Sequence, residues 1–258
     1  MHYYRPANQP VVDKIRIIPE ILSVVSKRIE YQESIISNGD SERYFDFYDT
    51  RMRHYYLAAV ETILRQVGSE GKVLDIGCGA AVFGVLLADK TEYFNVVGLE
   101  RSGLLVRTGE AITSRVGYRN RISLKIWNED ALPFPDAEFD AVVSLMSLHR
   151  WGGSRNIFRE IERVRKPKSV VYISDFRREL MFPPFFLYAF GNRLAVGRDI
   201  AADLVNSHKA SYTTDELRSM LDESGLADWR IEKNKRLLTV SSIYGIGEPK
   251  IAADIQEN

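Results

Sequence analysis

Three acidic residues in this sequence fall where they can build a binding site. Asp75 belongs to the apolar run Val73-Leu74-Asp75-Ile76, which is followed at once by Gly77, Gly79, Ala80, Ala81 and Gly84. Glu100 ends a second apolar run, Val96-Val97-Gly98-Leu99, and Asp130 follows a third, in Trp127-Asn128-Glu129-Asp130-Ala131. Gly77 and Gly79 let the backbone turn tightly and come close to a ligand, because no Cβ stands in the way. A dinucleotide loop would read G-x-G-x-x-G, but four residues separate Gly79 from Gly84, and Val82 stands where the third glycine belongs. A Lys-Ser or Lys-Thr pair for a P-loop is also missing. A carboxylate at Asp75 repels phosphate and suits a ligand with a cationic amine. An acid at the position of Glu100 meets two ribose hydroxyls in a nucleotide-binding α/β fold. Asp130 can accept a hydrogen bond from the exocyclic amine of a base.

The elements that must position these acids alternate. Strands are expected at 73–76, 95–99, 122–126, 139–146 and 170–174, with helices at 80–88, 102–117 and from Ser154 to Pro167. Ser102 caps the second of these helices, with Leu105, Ala111, Ile112 and Val116 facing inward. Thr213-Thr214-Asp215-Glu216 is a capping box that opens a last helix, with Leu217, Met220 and Leu221 inward and Gly225 at its end. Two strands follow, near 228–233 and 237–244. Ahead of the alternation lie two helical stretches, 11–37 and 49–67, the second with Tyr55, Ala59, Ile63 and Val67 on one stripe. This rhythm predicts a doubly wound, Rossmann-like parallel α/β sheet. Residues 1–68 form an N-terminal helical segment, a cap, and 69–258 the main domain. Residues 176–212, with the aromatic run Met181 to Phe190, are expected to form an irregular insert read as a substrate lid, with a helix-packing patch, a dimer contact or a lipid-touching patch as the alternatives.

The totals restrict the function. The 258 residues are 45% hydrophobic and 27% charged, with a formal net charge of +0, which argues against a broad grip on nucleic-acid phosphates. The basic run Arg155, Arg159, Arg163, Arg165, Lys166 and Lys168 is interleaved with Glu160 and Glu162, the pattern of a solvated, locally paired helix face. Cys78 is the single cysteine, so internal disulfides and cysteine-type zinc sites are excluded and no metal is expected. The start lacks the basic and apolar segments of a secretory leader, and no uncharged apolar run reaches the roughly 18 residues of a membrane span. These features lead to the expectation of a cytoplasmic protein, a monomer or homodimer, with no transmembrane segment.

The ordered set VLDIGCGAAVFG, VVGLE and NEDALPFPDAEFDAVVSLMSLH resembles the class I S-adenosylmethionine-dependent methyltransferases, most closely the ubiquinone/menaquinone-biosynthesis branch, over roughly residues 70–245. The resemblance implies a seven-stranded sheet with the last strand antiparallel, S-adenosyl-L-methionine as cofactor and S-adenosyl-L-homocysteine as product. It implies that Asp75 lies near the methionine amine, through water or the loop, that Gly77, Cys78 and Gly79 pass along the methionine portion, and that Glu100 takes the ribose hydroxyls. Arg101 flanks the adenine, and Asp130 with the Ala131 N–H binds its edge. Ser144 and Leu145 line the methionine side, and Tyr48, in Tyr48-Asp49, closes over the cofactor. The usual Leu-Lys-Pro-Gly turn is replaced by Arg165-Lys166-Pro167-Lys168, which keeps the proline and loses the glycine.

A sulfonium is already a strong methyl donor, so the protein mainly aligns acceptor, methyl and sulfur and keeps out water. His149, expected at the crevice mouth after the fourth strand, is the candidate base; the alternative is a histidine that packs beside Trp151. His54 is a second candidate. Cys78 is read as a small packing residue. Arg177, Arg178 and Arg193 border the insert, either solvated or holding an acidic group of the acceptor. The expected reaction is methyl transfer to a small, partly apolar or aromatic molecule. The rivals are an RNA or protein methyltransferase and a non-catalytic S-adenosylmethionine-binding or scaffold protein.

Overall fold

The computed structural model describes residues 27–31, 40–128, 131–151, 156–179, 198–226, 229–234 and 236–242. Asp130, most of the expected helix at 11–37 and residues 180–197 of the insert lie outside these; the part of that helix that is described, residues 27–31, is not helical.

Two helices precede the sheet, α1 (Ser41–Thr50) and α2 (Arg53–Val67). The sequence predicts one helix from Asp49; instead the chain breaks at Arg51 and Met52, and α1 begins well before Asp49. The break lets α1 bury Tyr44, Phe47 and Tyr48 while α2 buries Tyr56, Ala59, Val60 and Ile63. Gly68 ends α2 with φ +100°, a conformation glycine adopts without strain.

The alternation then runs β1 (Gly71–Ile76), α3 (Val82–Lys90), β2 (Phe94–Glu100), α4 (Gly103–Arg115), β3 (Ile122–Ile126), β4 (Phe139–Leu145), α5 (Asn156–Val164) and β5 (Arg165–Phe176). It closes with α6 (Arg198–Ala210), α7 (Thr214–Ser224), β6 (Trp229–Lys233) and β7 (Leu237–Ser242). The sheet order is β3-β2-β1-β4-β5-β7-β6, parallel from β3 to β5, with β7 antiparallel to both of its neighbours. The direction of winding reverses between β1 and β4. In an open α/β sheet such a switch point leaves a crevice at the carboxyl ends of the strands.

Alternation along the strands divides the core. Val73, Ala141 and Val143 face one apolar cluster with α1 to α4 and with Ile200 and Leu204 of α6. Leu74, Ile76 and Val142 face the other, with α5 and α7. Asp75 lies between Leu74 and Ile76 in β1, so it shares the face of Val73.

Several expectations hold. Ser102 accepts a hydrogen bond from the Leu105 N–H and caps α4. The Thr213–Glu216 capping box is complete, and Gly225 follows α7 with φ +74°. Others need correction. On α4, Ala111 is exposed and Val116, just past its end, is 43% exposed. The small residues Thr108, Gly109 and Thr113 set the buried face instead, because α4 presses directly on the glycine loop: a Cβ on Gly109 would meet the Ala80 backbone at 3.1 Å. Strand β5 starts at Arg165, not Val170, so Pro167 sits inside it next to a register irregularity opposite Phe139 and Ala141. Proline is tolerated at such a bulge. Lys168, at the lost glycine of the turn motif, takes φ +62°. The region read as irregular also contains α6, a full helix.

Candidate active site

The crevice is built by two abrupt turns. After β1, Gly77 and Gly79 take φ +76° and +55°. The Gly77 and Cys78 N–H groups both donate to the Leu99 carbonyl, at 2.7 and 3.0 Å, which fastens the loop to β2. Ala81 adopts φ +70° as the residue before α3. This left-handed residue is why α3 starts two positions later than expected. After β4, Met146 swings the chain with φ +55°, and Ser147 to Arg150 curl over Gly77.

A cleft between these turns is lined by Gly77, Cys78, Gly79, Ala80 and Val82 below and by Leu145, Met146, Ser147 and Arg150 beside them. Glu100 stands at one end, and Tyr44, Tyr48 and Tyr56 from α1 and α2 cover it. The tyrosines are 6%, 2% and 7% exposed. Tyr44 and Tyr48 pack with ring centroids 4.7 Å apart. Burial pushes the Tyr44 phenol up to about 12 and those of Tyr48 and Tyr56 well above their ordinary value, so all three are neutral walls.

The carboxylates are graded in environment. Glu100 accepts from the Gly79 N–H at 3.0 Å and from the Ser102 N–H at 2.9 Å, which fixes its carboxylate against the loop. Asp75 is buried behind the loop, and burial, with a smaller push from the Glu100 charge, raises its carboxyl to about 8. Cys78 is buried as well; burial, then Asp75 and Glu100, push its thiol well above the ordinary value. That is a packing cysteine and not a nucleophile.

The sequence-predicted residues therefore divide. Tyr48, Gly77, Cys78, Gly79, Glu100 and Leu145 line the cleft. Asp75 sits behind it. Ser144 is buried and spends its hydroxyl on the Ile76 carbonyl at 2.7 Å, tying β4 to β1. Arg101 is exposed beside Glu100, and Ala131 accepts from the Trp127 indole N–H at 2.9 Å. His149 is not at the mouth: it is 1% exposed. Its main-chain N–H and ring Nδ1 both engage Asp175, at 2.6 and 2.9 Å. Its Nε2 accepts from Arg150 Nε at 3.4 Å. Arg150, which sequence reading passed over, is the residue of this pair that faces the cleft. Tyr44 was missed too.

Several basic residues outside the cleft are locally paired. Arg163 binds Glu160 and Asp136, Arg165 binds Glu162, and Lys166 binds Asp140. Arg178 is buried and pairs with Glu216, so it is not solvated. Among the described residues, no cluster of three or more His, Cys, Asp or Glu side chains is placed to hold a metal ion, and no helix is long and apolar enough to cross a membrane.

This sheet order, with a close-approach loop after β1 and an acid ending β2, defines a class I methyltransferase fold. A family model described as a methyltransferase domain matches residues 68–225, and the chain belongs to that family. It is an S-adenosylmethionine-dependent methyltransferase, similar to the ubiquinone/menaquinone-biosynthesis branch. It is 30% identical over 175 residues to a demethylmenaquinone methyltransferase of Bacillus pumilus, which covers 64% of this chain and 74% of that one. It is 29% identical to a 27-O-demethylrifamycin SV methyltransferase of Amycolatopsis mediterranei, over 60% of this chain and 53% of that one. Among solved structures, one of an S-adenosyl-L-methionine-dependent methyltransferase from Aquifex aeolicus superposes with a TM-score of 0.56, at 18% identity, over 81% of this chain and 98% of that one. At that identity the likeness speaks for the fold.

The residues present fit the cofactor. A Cβ on Gly79 would sit in ordinary contact with the Tyr44 ring, at 3.4 Å, so glycine there leaves the space between loop and ring clear for a ligand. Neutral aromatic walls and the Glu100 carboxylate suit a nucleoside bearing a sulfonium.

Proposed function

We propose that the protein transfers a methyl group to a small, partly apolar or aromatic acceptor. The observation that carries this is the cover of three buried tyrosines over a narrow cleft. Aromatic walls bury flat or apolar molecules and exclude water. The pairing of Arg163, Arg165 and Lys166 with neighbouring acids removes much of the basic face that an RNA acceptor would need. The named substrates of the two curated relatives, a demethylmenaquinone and a demethylrifamycin, point in the same direction.

In this reading Gly77 to Gly79 carry the methionine portion, Asp75 lies near its amine from behind the loop, and Glu100 takes the ribose hydroxyls. Asp130 and Arg101 serve the adenine. Residues 1–68 act as the cap, and the insert within 176–212 acts as the lid. When bound, the cofactor supplies an electrophilic methyl on sulfur, and the sulfur keeps the bonding pair as an acceptor lone pair takes the methyl. The chain's own work is alignment and exclusion of water. His149 gives its Nδ1–H to Asp175 and turns Nε2 to Arg150, so it orients the guanidinium that lines the cleft.

The test is incubation of the purified protein with isotope-labelled S-adenosylmethionine and a cell extract split into metabolites, RNA and protein. Label is expected in the extractable small-molecule fraction. Label only in RNA or protein would replace the acceptor, and no transfer at all would favour a non-catalytic binding protein.

A further inference from the structure

The cofactor's amino-acid end is a zwitterion, and the acids described above can answer only its ammonium. Its carboxylate needs donors. The glycine loop has few left: the Gly77 and Cys78 N–H groups are spent on the Leu99 carbonyl, and the Gly79 N–H is spent on Glu100. Of the residues that line the cleft, Arg150 carries the positive charge. Its guanidinium is held on three sides. Nη2 donates to Asp203 at 3.2 Å, Nε faces His149 Nε2 at 3.4 Å, and the Tyr31 ring lies 4.7 Å from the guanidinium carbon. Tyr31 in turn donates its hydroxyl to Asp203. Nη1 carries no bond to a described residue. The turn that carries Arg150 packs its Ser147 side chain against Gly77, so the arginine stands beside the loop to which the methionine portion is assigned.

We propose that Arg150 anchors the carboxylate of the cofactor's amino-acid portion, with Asp203, Tyr31 and the Asp175–His149 pair holding the guanidinium in place. This rests on the cofactor placement given above. A planar guanidinium fixed by an acid on one edge presents its other edge to a carboxylate in a set geometry. Arg150 then sorts ligands by whether they carry that carboxylate. Asp203 and His149 act through Arg150 as positioning residues.

The experiment compares two ligands by calorimetry. S-adenosylhomocysteine carries the amino-acid end, and 5′-methylthioadenosine keeps the nucleoside and sulfur without it. Arg150→Met should lose about 10- to 100-fold in affinity for S-adenosylhomocysteine, the range of a charge-assisted contact. Its affinity for methylthioadenosine should stay within about twofold, which also shows that the cleft is folded. Arg150→Lys, which keeps a charge beside Asp203, should show a smaller selective loss, and Asp203→Asn should show a loss of the same selective kind. If Arg150→Met does not fold, the other two variants carry the same comparison. Unchanged affinity for S-adenosylhomocysteine, or equal loss for both ligands, overturns the anchor. Wild-type protein that binds neither ligand would instead overturn the cofactor placement itself.

Discussion

The Ser147 side chain occupies the space that a Cβ on Gly77 would need. The built position overlaps both the hydroxyl and the Cβ of Ser147, and Gly77 also has φ +76°. The two turns that form the cleft therefore meet at a single interlock, one from β1 and one from β4.

Gly77→Ala should cost about 1–3 kcal/mol of stability, the range for overpacking a close contact, and should weaken cofactor binding. Ser147→Gly in the same chain should recover the steric part and leave the cost of the positive φ. A double-mutant cycle by thermal and chemical unfolding measures this coupling. Strictly additive effects would refute the interlock.

Asp75 gives a pH signature. Its folded-state carboxyl is raised from 3.8 to about 8, so the folded chain holds a proton there that the unfolded chain releases. That contribution is fully present below about pH 4 and is lost as pH rises through 8. Asp75→Asn, which cannot ionise, should gain stability relative to wild type between pH 4 and 8. The midpoint of Asp75→Asn relative to wild type should therefore climb steadily from about pH 4 to about pH 8. A midpoint difference that stays flat with pH would remove Asp75 as the cause.

Much of this architecture can be read from residue order. The strands show as short apolar runs, the Thr213 box marks α7, and the glycines after β1 mark the loop. What escapes is what depends on distant partners. Helix α6 buries Asp203, Ser207 and His208 beside Ile200 and Leu204, so it shows no clean apolar stripe. Arg150 looks like any charged residue after a strand until Asp203, 53 positions away, is seen to hold it. His149 is prominent in the sequence and Arg150 is not, yet the fold turns the arginine to the cleft.

Cys78 should resist thiol reagents. It is buried, and its Sγ fills the space over Gly98, where a Cβ would meet it at 2.6 Å. With its pKa well above the ordinary value, native protein at pH 8 should react with a disulfide reagent at least about tenfold more slowly than the unfolded chain. Equal rates would mean that the loop opens freely.

Lys168 holds a left-handed conformation, φ +62°, at the exposed irregularity near the start of β5. A left-handed residue with a side chain costs about 1–2 kcal/mol. After the entropy that glycine itself loses on folding, Lys168→Gly should stabilise the protein by about 0.5–1 kcal/mol with methyl transfer unchanged. Chemical denaturation and the transfer assay check both halves.

That end of β5 lies at the opposite rim of the sheet from the chemistry. There Lys72 pairs with Glu138, and Lys166 with Asp140, and neither pair touches the cleft lining. A dye or a surface tether attached at position 168 would therefore leave the working rim clear, which gives a handle for watching single molecules turn over.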